Sequence, residues 1–307
     1  MQSGAIRPLA NMLPRTLFNA EHEAFRETVR KFYEKEVVPN IDKYEQQQHV
    51  DRGLWNKAGE MGLLCATMPE EYGGYGVDRL YSMILIEEQA YAMDSSTGFS
   101  LHSDIVANYV NNFGNEEQKK KWLPKMASGE TVTAIAMTEP GTGSDLQAVR
   151  TTAVLDGDEY VINGSKIFIT NGYLCDMAIV VCKTGSTDKG SANLSLIIVE
   201  EDRAGFSKGK PLNKIGMKGQ DTCELFFEDV RVPKENLLGM EGMGFMMLMK
   251  ELAWERMLVA IICQAGSEAA FAHTVQYTKD RKAFGKPIGV FQNTRFKLAE
   301  MRTEIDF

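Results

Sequence analysis

Apolar positions divide the chain into three blocks with different periods. In Ala20 to Val38, Phe25, Val29, Phe32 and Glu36 recur at three- and four-residue spacing with acids in the first turn, which predicts a helix that Pro39 stops. Further helices are predicted at about 53 to 61, 78 to 92, 99 to 112 and 116 to 127. Pro69 to Gly76, PEEYGGYG, reads as a surface turn, because its glycines and proline cannot continue a helix.

From about 130 to 235 the period shortens. The runs VTAIAM, RTTAVL, YVING, KIFIT, AIVVC, LSLIIV and CELFFEDVRV are rich in β-branched and aromatic residues and predict strands. Asp156-Gly157 and Asn163-Gly164 tolerate positive φ and predict tight antiparallel hairpins. No GxGxxG follows a strand, so the block is read as mostly antiparallel rather than doubly wound. Helix returns from Gly244 to Lys279 and again after Pro287. Helices, then strands, then helices predict an α+β protein divided at residues 1–129, 130–238 and 239–307, with no internal repeat.

Composition narrows the partners. A chain of 307 residues has room for two or three domains and for enclosing a large organic cofactor. The net charge of −8, with both signs mixed along the chain, speaks against nucleic acid or anionic lipid. Five cysteines form no CxxC pair and four histidines show no ligand spacing, so no metal site is expected and the thiols are expected reduced and mostly buried. The apolar runs, such as Met177 to Cys182 and Leu194 to Val199, fall far short of the roughly 20 residues that span a bilayer, and no membrane span is expected. Residues 1–18 carry Arg7 and Arg15, no acid and no amphipathic stripe, and read as an ordinary cytoplasmic tail, with a transit peptide to the mitochondrial matrix as the alternative.

Four segments carry candidate chemistry. In Met137 to Asp145, MTEPGTGSD, Gly141 and Gly143 let backbone approach a ligand while Thr138 and Ser144 offer hydroxyls; a purely structural turn explains the same residues. In Lys166 to Gly172, strand alternation puts Phe168 and Thr170 on one face, suited to a flat heterocycle, although a core phenylalanine would look alike. Leu248, Leu252, Glu255, Val259 and Ile262 recur at helical spacing, which places Glu255 in an apolar stripe where burial raises its pKa, as a general base needs; a structural ion pair is the competing reading. Arg281 to Pro287, RKAFGKP, reads as a helix end with Gly285 as the left-handed cap, or as a site where Arg281 meets a phosphate.

Together, in this order and at these separations, the four segments resemble the signature set of the acyl-CoA dehydrogenases. The resemblance extends to Glu87-Glu88-Gln89-Ala90-Tyr91 and Gly98-Phe99-Ser100-Leu101-His102-Ser103, which are similar to the long-chain branch, and so covers about residues 17 to 302. It implies an N-terminal helical domain, a middle antiparallel β-barrel-like domain and a C-terminal helical bundle, with FAD between the last two. It implies that Ile135, Met137, Thr138 and Ser144 line the flavin and pantetheine channel and that Phe168 and Thr170 sit against the isoalloxazine. Arg281, Phe284 and Gln292 would reach the FAD of a neighbouring subunit in a homo-oligomer, a tetramer built as a dimer of dimers. Ser144, Met246 and Arg256 would contact substrate, Arg256 at the CoA nucleotide.

In the long-chain and isovaleryl branches the base lies on the helix that here reads KELAWER, at Glu255. The resemblance therefore implies α,β-dehydrogenation of acyl-CoA to trans-2-enoyl-CoA in fatty-acid β-oxidation, on long-chain or branched acyl groups, with electrons passed to an electron-transfer flavoprotein. An acyl-CoA oxidase or flavin monooxygenase on the same fold is the alternative. Measured against the family pattern, the chain is expected to lack the C-terminal part of the closing bundle, since it stops at Phe307.

Overall fold

The computed structural model describes residues 15–185 and 193–307; Arg7 and the rest of the first 14 residues lie outside them. The chain runs through helices, then a sheet, then helices again, an α+β architecture. It forms two compact units, Ile41–Ser82 with Ser95–Arg256, and Met1–Asn40 with Met83–Asp94 and Met257–Phe307.

The first of these units is built on a sheet of β1 (Thr133–Ala136), β2 (Thr152–Asp156), β3 (Glu159–Thr170), β4 (Met177–Lys183), β5 (Leu194–Glu200), β6 (Phe206–Lys208), β7 (Thr222–Pro233) and β8 (Leu237–Leu238). The strand order is β6-β7-β3-β2-β4-β5-β8, with β1 beside β4. Pairing is antiparallel except where β4 runs parallel to β1 and β2. β4 and β5 are the continuous apolar runs of the sequence, and their alternation explains why. Met177, Ile179, Val181, Leu194, Leu196 and Ile198 pack in a core shared with helical residues such as Leu123 and Met126. Ala178, Val180, Cys182, Ile197 and Val199 pack instead with residues of β2, β3 and β7.

Gly157, at φ +65°, turns the β2–β3 hairpin as expected. Asn163-Gly164 does not close a hairpin. β3 continues through it with a bulge against β7, where Gly164 lies so close to Thr151 that a Cβ would stand 2.8 Å from the Thr151 Cα. The same unit holds α2 (Ile41–Gln47), α3 (Arg52–Glu60), the first turn of α4 (Arg79–Tyr91), a π-helical turn at Leu101–Val106 leading into α5 (Ala107–Phe113), and α6 (Glu116–Ala127), which opens on an Asn115/Gln118 capping box. The 69–76 segment is a surface turn with an anchor, since Tyr72 is buried and its hydroxyl donates to Glu116.

The second unit begins with α1 (Ala20–Phe32), whose cap Asn19 accepts from the backbone of Glu21 and His22. Pro39 does not stop the chain's helical course: α1 passes through a π turn at Tyr33–Val37 and a 3-10 turn at Val38–Asn40, which accommodates the missing proline N–H, and α2 follows at once. Arg15, Arg26 and Arg30 converge on Glu87 and Glu88 of α4 at 2.5 to 3.2 Å, with Glu88 almost fully enclosed. α7 (Gly244–Asp280) contributes its second half here, Ala265 and Ala269 packing with Ala90 and Tyr91, whose hydroxyl donates to Glu268 at 2.7 Å. α8 (Gln292–Asp306) follows.

Contrary to the expectation from short apolar runs, α7 is long and apolar enough by composition to cross a bilayer. It carries Lys250, Glu251, Glu255 and Arg256 in its first half and buries Leu258, Ala265, Ala269 and Ala272, a pattern that a bundle helix also shows. Four of the five cysteines are buried thiols as expected, and Cys263 is exposed.

Glu88 carries much of the α1–α4 ion network, and removing it would leave Arg26 and Arg30 short of a buried counter-charge. Glu88→Ala is expected to cost about 3 kcal/mol in a urea unfolding experiment. Lys35→Ala, where the lysine of the Lys35–Glu36 pair is 83% exposed, should change stability by less than about 0.5 kcal/mol.

Candidate active site

Beside the candidate residues a buried polar clamp ties β3 to the segment that follows β1. Lys166, 0% exposed, donates from Nζ to Glu139 Oε1 at 2.9 Å and to the Met137 carbonyl at 3.0 Å. Glu139 also accepts from Arg150 N (2.6 Å), Thr151 N (2.9 Å) and Thr151 Oγ1 (2.6 Å). Burial opposes its charge, but Lys166 and Thr151 outweigh burial and hold the carboxyl below its ordinary value. The clamp fixes both ends of the MTEPGTGSD turn: Glu139 and Thr142 exchange backbone hydrogen bonds, and Thr142 Oγ1 donates to the Ala148 carbonyl at 3.0 Å.

Ile167 N donates to the Thr138 carbonyl at 2.9 Å, so Met137 and Thr138 lie directly beside the segment that carries Phe168 and Thr170. Phe168 is 64% exposed, and strand alternation alone does not turn it outward. β3 bulges between Lys166 and Ile169, and Phe168 takes a left-handed φ of +61°, strained for an aromatic residue. Lys166 pins one side of this bulge and Asn171 the other, its Nδ2 donating to the Gly98 and Thr133 carbonyls at 3.0 and 3.2 Å. Gly98 must be glycine, because a Cβ there would meet Asn171 Oδ1 at 1.8 Å. Ile135 is buried in β1, Thr170 is half-buried, and Ser144 is exposed in the glycine turn with open space around Gly141 and Gly143.

The third segment is the first half of α7, which shares its core with the sheet through Leu248. Glu255 is half-buried and accepts from the Tyr109 hydroxyl at 2.8 Å. One turn back, Glu251 is buried and accepts from Asn112 Nδ2 at 2.9 Å. Burial pushes the Glu255 carboxyl above its ordinary value; the Tyr109 hydrogen bond lowers it, Glu251 raises it and Arg256 lowers it, with the net shift upward. The apolar stripe holds only in part. Leu248 is buried, Leu252 and Ile262 are half-buried, and Val259 is 61% exposed. Trp254 lies under the Arg79 guanidinium at 4.3 Å. In the neighbouring π turn Asp104 is buried with Oδ2 unpartnered, and burial pushes it up to about 7 against the Ser82 hydrogen bond and Arg79. Met246 is exposed along a groove of about 650 Å³ lined by Phe113, Met240, Met243, Met249 and Lys250, and Arg256 is exposed beyond it.

Arg281, Phe284 and Gln292 belong to the other compact unit. The helix-end reading needs correction there. α7 ends at Asp280, and Gly285 is not its cap but half of a two-residue turn: Phe284 and Gly285, at φ +52° and +73°, join β9 (Lys282–Ala283) to β10 (Lys286–Pro287). The turn leaves the Phe284 ring 95% exposed and edge-on to Phe291. Arg281 is exposed at the foot of this hairpin and Gln292 opens α8.

Sequence reasoning missed Lys166, Glu139, Tyr109 and Glu251. A lysine in a strand between Ser165 and Ile167 was the available signal for the first, since an inward-facing cation requires a buried acid. Nothing in the local pattern of Tyr109 distinguishes it from a core tyrosine.

Three family models cover the chain: acyl-CoA dehydrogenase N-terminal domain over residues 19–130, middle domain over 134–230 and C-terminal domain over 242–307. The long-chain specific acyl-CoA dehydrogenase of Sus scrofa is 49% identical over 306 residues, 99% of this chain and 71% of that one. Relatives at 38% and 40% identity bear isovaleryl-CoA and short-chain-specific names. The crystal structure of an acyl-CoA dehydrogenase from Geobacillus kaustophilus superimposes with a TM-score of 0.93 at 48% identity, covering 95% of this chain and 77% of that one. An acyl-CoA dehydrogenase from Bacillus anthracis complexed with FAD gives a TM-score of 0.88 at 37% identity over 96% of this chain and 51% of its own. The family models over all three regions and the matched solved structures, one of them complexed with FAD, define an oxidoreductase of the flavin-dependent class. The chain belongs to the acyl-CoA dehydrogenase family, whose members are FAD-dependent oxidoreductases.

The residues present fit that cofactor. An exposed aromatic ring held out of its strand by a strained backbone, next to backbone of Met137 and Thr138 and the Thr170 hydroxyl, offers a planar heterocycle a stacking face beside polar atoms. Lys166→Met would leave Glu139 buried without its cation and release the Met137 carbonyl. It is expected to weaken FAD retention by about tenfold or more, about 1.4 kcal/mol, read from the visible absorbance left after dialysis.

Proposed function

We propose that the chain removes the α-proton of an acyl-CoA thioester at Glu255 and yields the trans-2-enoyl-CoA, on long-chain or branched acyl groups, as a step of fatty-acid β-oxidation. The observation that carries this reading is the Glu255 carboxylate: held by Tyr109 and shifted upward by burial, on the helix whose Leu248 joins the sheet-side core. A carboxylate whose pKa lies nearer the working pH accepts a proton from an acidified carbon better than an ordinary one. Oε1 is engaged by the Tyr109 hydroxyl, so the proton is taken at Oε2. Bound FAD supplies the acceptor for the hydride that leaves the β carbon. The burial that raises the Glu255 carboxyl also removes water from around it and strengthens its electrostatic interactions.

Cofactor contact is assigned to Ile135, Met137, Thr138, Ser144, Phe168 and Thr170, supported by the clamp and the Ile167 to Thr138 hydrogen bond that set Met137 and Thr138 beside the Phe168 segment. Arg281, Phe284 and Gln292 are assigned to the FAD of a neighbouring copy, supported by the hairpin that projects Phe284 into solvent. That assignment requires a homo-oligomer, read as a dimer of dimers. Ser144, Met246 and Arg256 are assigned to substrate. The domains are read as residues 1–129, 130–238 and 239–307, the electron acceptor as an electron-transfer flavoprotein, and the compartment as cytoplasm, with the mitochondrial matrix as the alternative.

Glu255→Gln keeps shape and removes the base. Turnover with a panel of acyl-CoAs and an artificial acceptor is expected to fall about 10³-fold while FAD content and melting temperature hold; retained turnover would overturn the assignment. In the unaltered protein kcat/KM should be lost as pH falls through the raised pKa, so its acid limb lies above the ordinary glutamate value of 4.5.

A further inference from the structure

We propose that Tyr109 and Glu251 are positioning residues for the base: the Tyr109 hydroxyl fixes the Glu255 carboxylate through Oε1, and Glu251, one turn back on α7, sets the field in which that carboxylate ionises. The proposal rests on the reading of Glu255 as the base and adds what prepares it.

Tyr109 is a rigid support. Its side chain is fully buried in the core shared by helices and sheet, its ring packs against Phe113 at 6.0 Å, and the hydroxyl is its polar handle, placed 2.8 Å from Glu255. The π turn at Leu101–Val106 immediately before α5 inserts an extra residue into the helical course and so sets which side chains of α5 face α7. Glu251 is equally fixed, 5% exposed and held by Asn112 of the same helix α5. Two neighbouring side chains of one helix, Tyr109 and Asn112, thus hold two carboxylates that share one face of another helix at i and i+4. A structural ion pair would need a cation in contact, and among the described residues neither acid makes one. The other charged groups around this face are Arg256, which is exposed, Lys250, which lies over the Phe113 ring at 5.3 Å, and Arg79 of α4, stacked on Trp254.

The electrostatics agree in sign with the geometry. Burial, and then the Glu255 charge, push the Tyr109 phenol upward, so it stays protonated and remains a donor. Its hydrogen bond favours the charged form of Glu255, and the Glu251 charge disfavours it. The two supports therefore act in opposite directions on one group.

The test is a pair of conservative variants on the FAD-loaded protein. Two readouts follow the base: the acid limb of kcat/KM against pH, and titration of the carboxyl infrared band that disappears in Glu255→Gln. Tyr109→Phe is expected to move both to higher pH by about one unit, because a donor to the charged form is lost. Glu251→Gln should move both to lower pH, because a like charge is lost. If Glu255→Gln is inactive but neither variant moves limb or band, the positioning role is overturned while the base stands. If Glu255→Gln retains turnover, the base reading itself falls. A loss of melting temperature in Tyr109→Phe with the limb unmoved would mark the tyrosine as packing alone.

Discussion

A lysine with no access to water is the constraint on which the candidate site depends. Lys166 cannot remain charged inside a sheet unless it finds an anion, and Glu139 cannot remain buried unless it finds donors. Their mutual requirement draws the start of the glycine turn onto β3 and fixes it at several hydrogen bonds rather than one. The strained Phe168 backbone persists because this clamp and Asn171 over-determine the strand on both sides of it. The exposed Phe168 ring thus owes its placement to buried residues behind it.

The proposed base shows a similar division of labour. Glu255 stands on a helix that also contributes to the sheet-side core, and α5 supplies the groups that hold it. The opposing influences of Tyr109 and Glu251 leave burial as the leading influence on its ionisation, a setting that allows adjustment in either direction by small changes nearby.

Much of the architecture was legible because it is local. Helical spacing located α3, α4, α6 and α7 to within about two residues and the start of α1, and β-branched runs located the longer strands. The misreadings arose where a long-range contact overrides a local preference. Asn163-Gly164 has turn chemistry, yet pairing with β7 carries β3 straight through it. Pro39 and Gly285 have breaker and cap chemistry, yet a 3-10 turn absorbs one and a short hairpin uses the other. Glu255 could be found because its helix period marks it. Tyr109 could not, since its significance lies in a partner 146 residues away; Lys166 signalled a buried acid without naming it, since Glu139 lies 27 residues away. Several residues that carried the family resemblance turn out to be architectural: Glu87 and Glu88 anchor arginines of α1, and Gly98 leaves room for Asn171.

The doubly buried β4–β5 pair has a consequence for how the chain finds its alignment. Where one face of a strand is wet, a slip of a single residue is penalised at once because greasy and polar sides exchange. Here both sides are greasy, and that safeguard is absent over Met177 to Cys182. Alignment must be dictated from the ends: Glu201 N reaches the Asp176 carbonyl at one, while Thr184 meets Ser195 and Asn193 at the other. These few hydrophilic stops act as a vernier for an otherwise featureless hairpin, and a sliding error there would be betrayed only at its tips.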